Sequence, residues 1–209
     1  MSDAQKRSYD ALAPRYCVPF TGEQADWGGI FGNENPLILE IGFGMGTATA
    51  AIARENPGKN YLGVEVFRAG IGRLLWEIEQ AGIENIRILE HDAVEVLEKM
   101  IADGSLEGAH IFFPDPWPKK RHHKRRLVRR PFTELLARRI RSGGYLYMVT
   151  DWAEYGEWAL RELSATAGLV NPYGGFAPPR EWRPRTKFEA KGLSKNHEIR
   201  ELFFKVEAR

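Results

Sequence analysis

Glu40-Ile41-Gly42-Phe43-Gly44-Met45-Gly46 closes the apolar run Leu37–Ile41 and leads into the alanine-rich stretch Thr47–Arg54. Glycines at such a junction permit a tight strand-to-helix turn and a close backbone approach by a ligand. Two details separate this turn from a dinucleotide-binding one. Its spacing is G-x-G-x-G, whereas the dinucleotide fingerprint is G-x-G-x-x-G. A carboxylate, Glu40, also stands just before the turn, where it would repel a pyrophosphate and attract an ammonium.

Outward from this turn, short apolar runs alternate with helix-like stretches. The predicted strands are Leu37–Ile41, Tyr61–Val66, Ile86–Leu89, His110–Phe113, Tyr145–Thr150 and Leu202–Val206, each too short for a helix. The predicted helices are Thr47–Arg54, Gly70–Ala81, Ala93–Ile101 and Phe132–Ile140. In the second of these, Ile71, Leu74, Leu75 and Ile78 share one face. Such alternation predicts an α/β fold, a parallel sheet with helices on both faces. Ligands then bind at the carboxyl ends of the strands.

Two more acids stand at strand ends. Glu65 lies 23 residues after Gly42, a spacing from which a carboxylate can accept from both ribose hydroxyls. Asp92 follows the third strand, where an acid can accept from an adenine exocyclic amine. Taken singly, each reads more readily as a solvated strand end. Together, Glu40, Glu65 and Asp92 match the polar groups of S-adenosylmethionine, and Leu37–Val149 resembles the class I methyltransferases. That resemblance implies a Rossmann-like, mainly parallel seven-stranded sheet with an antiparallel last strand.

The fourth strand runs into Pro114-Asp115-Pro116-Trp117-Pro118-Lys119-Lys120-Arg121-His122-His123-Lys124-Arg125-Arg126. The prolines stiffen a turn that presents Asp115, and Trp117 could stack on an exposed base. From Lys119 to Arg141 there are 11 Lys or Arg and one acid, Glu134. The rest of the chain holds 19 basic and 27 acidic residues, so the net +2 hides a segment of +10 on a body of −8. Such asymmetry points to a polyanionic partner.

This run resembles the signature of the tRNA (guanine-N7-)-methyltransferases. So do Thr186-Lys187-Phe188-Glu189, Thr150-Asp151-Trp152 and, more weakly, Leu12–Tyr16. The resemblance implies S-adenosylmethionine contacts at Glu40, Gly42, Gly44, Glu65, Asp92 and Asp115, with Asp115 also catalytic. It implies substrate binding at Lys119, Asp151, Thr186, Lys187, Phe188 and Glu189, and RNA contacts at Arg121, His122, His123, Lys124, Arg125 and Arg126. The implied acceptor is N7 of guanine-46 in the tRNA variable loop. Another nucleobase methyltransferase, acting for example on adenine N6, and a non-catalytic RNA-binding module are the alternatives.

Composition sets further bounds. At 209 residues, 43% hydrophobic and 28% charged, the chain suits one globular domain with a full-sized core. Residues 1–35 read as a polar appendage, 36–209 as the catalytic domain, and 171–193 as a substrate-binding loop within it. Met1–Arg15 lacks a signal-peptide pattern, and nowhere are there the roughly 20 apolar residues that span a bilayer. One cysteine, Cys17, excludes an internal disulfide and a cysteine-based zinc site. The five histidines show no metal-ligand spacing. A cytoplasmic protein with no metal and no membrane partner, monomeric or homodimeric, is expected.

Overall fold

Two of the central apolar runs are buried at every position in the computed structural model, which describes residues 1–184, 189 and 198–208. These are β1 (Leu37–Ile41) and β2 (Asn60–Val64). Burial without alternation is what a parallel sheet covered on both faces requires. The seven strands form one sheet in the order β3-β2-β1-β4-β5-β7-β6. The remaining strands are β3 (Ile86–Leu89), β4 (Leu106–Phe112), β5 (Ile140–Thr150), β6 (Leu169–Val170) and β7 (Arg200–Val206).

The chain divides into two compact units. Among the described residues, the first comprises 1–102 with 182–184, and the second 103–181 with 189 and 198–208. In the first, β1, β2 and β3 pair in parallel, with Leu37 opposite Asn60 and Tyr61 opposite Ile86. The connections are α3 (Thr47–Glu55) and α4 (Arg68–Ala81). Ile71, Leu74, Leu75 and Ile78 of α4 are buried, as their spacing predicts. α5 (Ala93–Lys99) follows β3.

Residues 1–35 hold two helices that the sequence pattern does not announce, α1 (Asp3–Tyr16) and α2 (Trp27–Phe31). α1 opens with a capping box between Ser2 and Gln5. It buries only Ser8 and Tyr16, so it carries no apolar stripe. Polar contacts dock it instead: the Ser8 hydroxyl donates to Glu79 of α4 at 2.6 Å, and the Tyr9 hydroxyl to Glu90 at 3.1 Å. Beyond it, the Val18 amide donates to the Ile88 carbonyl of β3 at 2.7 Å.

In the second unit β4 and β5 are parallel, β7 runs antiparallel to β5, and β6 antiparallel to β7. The expected reversed last strand is therefore present. β4 and β5 begin earlier than predicted, because polar and glycine residues at their starts interrupt the apolar run. α6 (Phe132–Arg139) joins β4 to β5, and α7 (Ala153–Ser164) follows β5. α7 is absent from the predicted helices, although Tyr155, Ala159 and Leu163 make a buried stripe four residues apart. Among the described residues, no helix is long and apolar enough to cross a membrane.

Candidate active site

In the first unit, the Gly-rich turn between β1 and α3 takes the shape its glycines allow. Gly42, Gly44 and Gly46 have φ of 71°, 57° and 68°, a region costly for residues with a Cβ. A Cβ added at Gly42 or Gly44 would meet nothing within 4 Å, so the space beside the turn is open. At Gly70, on α4, a Cβ would lie 1.9 Å from the Gly44 carbonyl oxygen. Glycine is needed there because the first turn of α4 presses on the turn itself.

Glu40 is buried, 2% exposed, and its Oε2 has no hydrogen-bond partner. Burial pushes its carboxyl from 4.5 up to about 7; the Thr49 hydroxyl pulls the other way, and the Glu65 charge adds to the rise. A buried carboxylate with one oxygen unpaired is costly unless a cation neutralises it. The ammonium of an amino-acid ligand, reaching in over the open turn, has the chemistry to do so.

Glu65 and Asp92 carry work beyond what their strand-end positions predict. Glu65 Oε2 accepts from the Gly44 amide at 2.8 Å, and Oε1 from the amides of Val66 and Phe67 at 2.8 and 3.0 Å. It therefore ties the Gly-rich turn to the end of β2, while its remaining lone pairs stay available to ribose hydroxyls. Asp92 caps α5, its Oδ1 accepting from Val94 at 2.8 Å and Glu95 at 3.2 Å. Its other oxygen is uncommitted by these bonds. Val66 and Phe67, 68% and 54% exposed, give the same strand end an apolar surface suited to a purine ring.

In the second unit, β4 ends in the turn Phe113–Trp117. Phe113 and Trp117 have φ of 51° and 45°, left-handed values for non-glycine residues. Each costs of order 1–3 kcal/mol and persists only where surrounding structure enforces it. Asp115 and Lys119 are exposed on this segment. The Trp117 ring lies 4.9 Å under the Arg125 guanidinium and meets the His122 ring edge-on at 5.9 Å. Asp151 is half-buried at the end of β5, next to Thr150, whose hydroxyl accepts from the Trp152 amide at 3.2 Å.

The basic tract forms a 3-10 turn, Lys120–Arg125, with Arg121, Lys124 and Arg125 exposed and His122 and His123 half-buried. Arg126 departs from its neighbours: it is 1% exposed. Its Nε donates to the Pro116 carbonyl at 2.9 Å, and its two terminal nitrogens grip the two oxygens of Glu154, one of them at 3.0 Å. The ring centres of Tyr155 and Trp158 each lie 5.0 Å from its guanidinium carbon. Thr186, Lys187 and Phe188 lie outside the described residues, whereas Glu189 is buried at 6% exposure. Among the described residues, no three His, Cys, Asp or Glu gather as a metal site.

Solved methyltransferases share this architecture. The 16S rRNA methyltransferase KamB superposes with a TM-score of 0.65 at 14% identity, covering 89% of this chain and 95% of its own. A precorrin-6y C5,15-methyltransferase from Geobacter metallireducens does so at 0.54 and 11%, covering 82% and 81%. At such identities the likeness concerns the fold alone: with the sheet order, it is the Rossmann-like fold of the class I methyltransferases. The family described as "Putative methyltransferase" matches residues 34–202. A tRNA (guanine-N(7)-)-methyltransferase of Paraburkholderia xenovorans is 51% identical over 205 residues, 98% of this chain and 79% of that protein. One from Bordetella pertussis is 49% identical over 205 residues, covering 98% and 81%. The chain belongs to the tRNA (guanine-N(7)-)-methyltransferase family.

Proposed function

We propose that this enzyme uses S-adenosylmethionine to methylate N7 of a guanine in tRNA, and that the acceptor is guanine-46 of the variable loop. The observation that carries the donor assignment is the buried Glu40 carboxylate, whose Oε2 has no hydrogen-bond partner, beside an open Gly-rich turn. Family membership supports guanine N7 in tRNA as the acceptor, and position 46 follows from the resemblance described above.

S-adenosylmethionine supplies a methyl group made electrophilic by its sulfonium. Glu40 holds the donor's ammonium, and Gly42 and Gly44 let the backbone approach it. Glu65 takes the ribose hydroxyls while keeping the turn in place, and Asp92 accepts from the adenine amine. Guanine N7 offers an in-plane lone pair and no proton, so no general base is needed. The methylated purine is cationic, and the Asp115 carboxylate stabilises the charge that develops. Asp115 or Asp151 accepts from the guanine N1–H and N2–H donors, which adenine cannot match; one carboxylate cannot easily serve both base edges, so the two divide the roles at N7 and at these donors. By the family resemblance, Lys119 and Thr186–Glu189 take part in substrate binding. Arg121, His122, His123, Lys124 and Arg125 meet phosphates, which positions the RNA without reading its sequence.

Transfer of labelled methyl from S-adenosylmethionine to unmodified tRNA, followed by nucleoside analysis and mapping, tests this. The expected product is 7-methylguanosine at position 46. A different nucleoside would remove the acceptor assignment and leave the donor standing. Asp115→Asn and Asp151→Asn should each lower kcat/KM by roughly 10- to 1,000-fold, an order-of-magnitude range for lost electrostatic stabilisation. Near-normal values in both variants would overturn the roles of these two carboxylates.

A further inference from the structure

We infer that Arg126, although embedded in the basic tract, is not an RNA contact but a positioning residue. With Glu154 as its counter-ion, it clamps the strained Phe113–Trp117 turn that presents Asp115. The inference rests on the reading that Asp115 takes part in the reaction.

The contrast within the tract is the first observation. Lys124 and Arg125 are exposed, yet the next residue is buried, with no side-chain surface left for a phosphate. Every part of the guanidinium is engaged: Nε on the Pro116 carbonyl, both terminal nitrogens on Glu154, and its faces against Tyr155 and Trp158. A bidentate guanidinium–carboxylate pair fixes direction as well as distance. Arg126 in turn holds the Glu154 carboxyl below the usual carboxylate range.

The platform under Arg126 is itself pinned. Glu154, Tyr155 and Trp158 all belong to α7. The Tyr155 hydroxyl accepts from the Val128 amide at 3.2 Å, and the Trp158 indole donates to the Val128 carbonyl at 3.0 Å. Pro116, the residue gripped, lies between Asp115 and Trp117, and Trp117 is one of the two left-handed residues of the turn. A backbone in such a shape relaxes when its restraint is removed. Arg126 is that restraint, because its Nε bond fixes the carbonyl at the middle of the Asp115–Trp117 segment. Lysine cannot replace it: a single ammonium cannot grip a carbonyl and both oxygens of a carboxylate in one plane.

The test uses Arg126→Met, Arg126→Lys and Glu154→Gln in the full chain, with three readouts. The first is kcat and KM for tRNA at saturating donor. The second is the salt dependence of tRNA binding. The third, independent of activity, is the rate of tryptic cleavage after Lys119, Lys120 and Arg121. The clamp predicts that kcat falls about 10- to 100-fold, the scale of a roughly 1 Å misplacement. It predicts an unchanged salt slope, faster cleavage and an intermediate Arg126→Lys. A phosphate contact would instead raise KM and flatten the log–log slope by roughly 0.7–0.9 with kcat kept, which overturns the proposal. So does a lowered Tm with normal kcat and normal cleavage in the folded fraction. Glu154 is half-exposed, so Glu154→Gln keeps the test open if Arg126→Met does not fold. If the wild-type enzyme methylates no tRNA, the functional reading fails, and the cleavage rates still judge the clamp.

Discussion

At Glu40, stability and ligand binding oppose each other. Its carboxyl is raised from 4.5 to about 7, chiefly by burial, a difference worth roughly 3 kcal/mol. The native state therefore holds a proton that the unfolded chain has released. The stability that depends on that proton is intact below pH 4.5 and is lost as the pH rises to about 7. Glu40→Gln removes this dependence. At about pH 8 the variant should unfold at a higher urea concentration than wild type, gaining up to about 3 kcal/mol, while its affinity for S-adenosylmethionine collapses. Near about pH 4 the two should unfold alike. If Glu40→Gln is the less stable protein under the alkaline condition, the carboxylate already has a partner and the argument fails. Donor binding should also release a proton near pH 7, measurable as a buffer-dependent binding enthalpy.

Among the elements, the contact between α4 and the Gly-rich turn sets two known effects against one another. Alanine is favoured over glycine inside a helix by about 1 kcal/mol, so Gly70→Ala taken in isolation should stabilise. Its new Cβ, however, would lie 1.9 Å from the Gly44 carbonyl oxygen, and backbone cannot swing aside as a side-chain tip can. The clash should win: Gly70→Ala is expected to destabilise by roughly 1–3 kcal/mol and to weaken donor binding, read by urea unfolding and calorimetry. A stabilised variant with full affinity would show that α4 stands further from the turn. These elements also show what the sequence makes legible. β1, β2 and β3 are short, mostly apolar runs broken only by Glu40, Asn60 and Arg87, and α4 is a clean stripe, so period and length locate them. α1 is hidden because its docking is polar, through Ser8 and Tyr9; β6 has two residues and leaves no period to read. α7 is legible in principle from Tyr155, Ala159 and Leu163. Within the candidate site, residue types at strand ends point to Glu40, Glu65, Asp92 and Asp115. Sequence cannot separate Arg126 from Arg125, because burial depends on Glu154, Tyr155 and Trp158, about thirty residues away. Nor can it show that Glu65 and Asp92 also hold backbone amides.

Over the whole molecule, the separation of charge governs how RNA is met. A net charge of +2 would give a weak field, but the segment 119–141 carries +10 against −8 elsewhere. Within that segment, Arg126, Arg130, Arg139 and Arg141 pair with Glu154, Glu162, Asp103 and Glu107, so a polyanion is drawn to the exposed cations around the 3-10 turn. Lys120, Arg121, Lys124 and Arg125 are exposed within that stretch. If each neutralises one phosphate, together they contribute a log–log salt slope of about −3 to −3.5. A fourfold rise in salt should then weaken tRNA binding by roughly 50- to 150-fold through these residues alone. Replacing all four by glutamine should flatten the slope by about that amount and raise KM for tRNA. It should leave kcat at saturating tRNA close to wild type, because none of the four touches the reacting atoms. Filter-binding titrations across a salt series measure the slope directly. Parallel lines for wild type and the quadruple variant would move the phosphate contacts to other residues. A fall in kcat with an unchanged slope would mean that these four side chains shape the Phe113–Trp117 turn and do not bind RNA, so that the buried Arg126 would no longer be distinguished from its exposed neighbours by what it does.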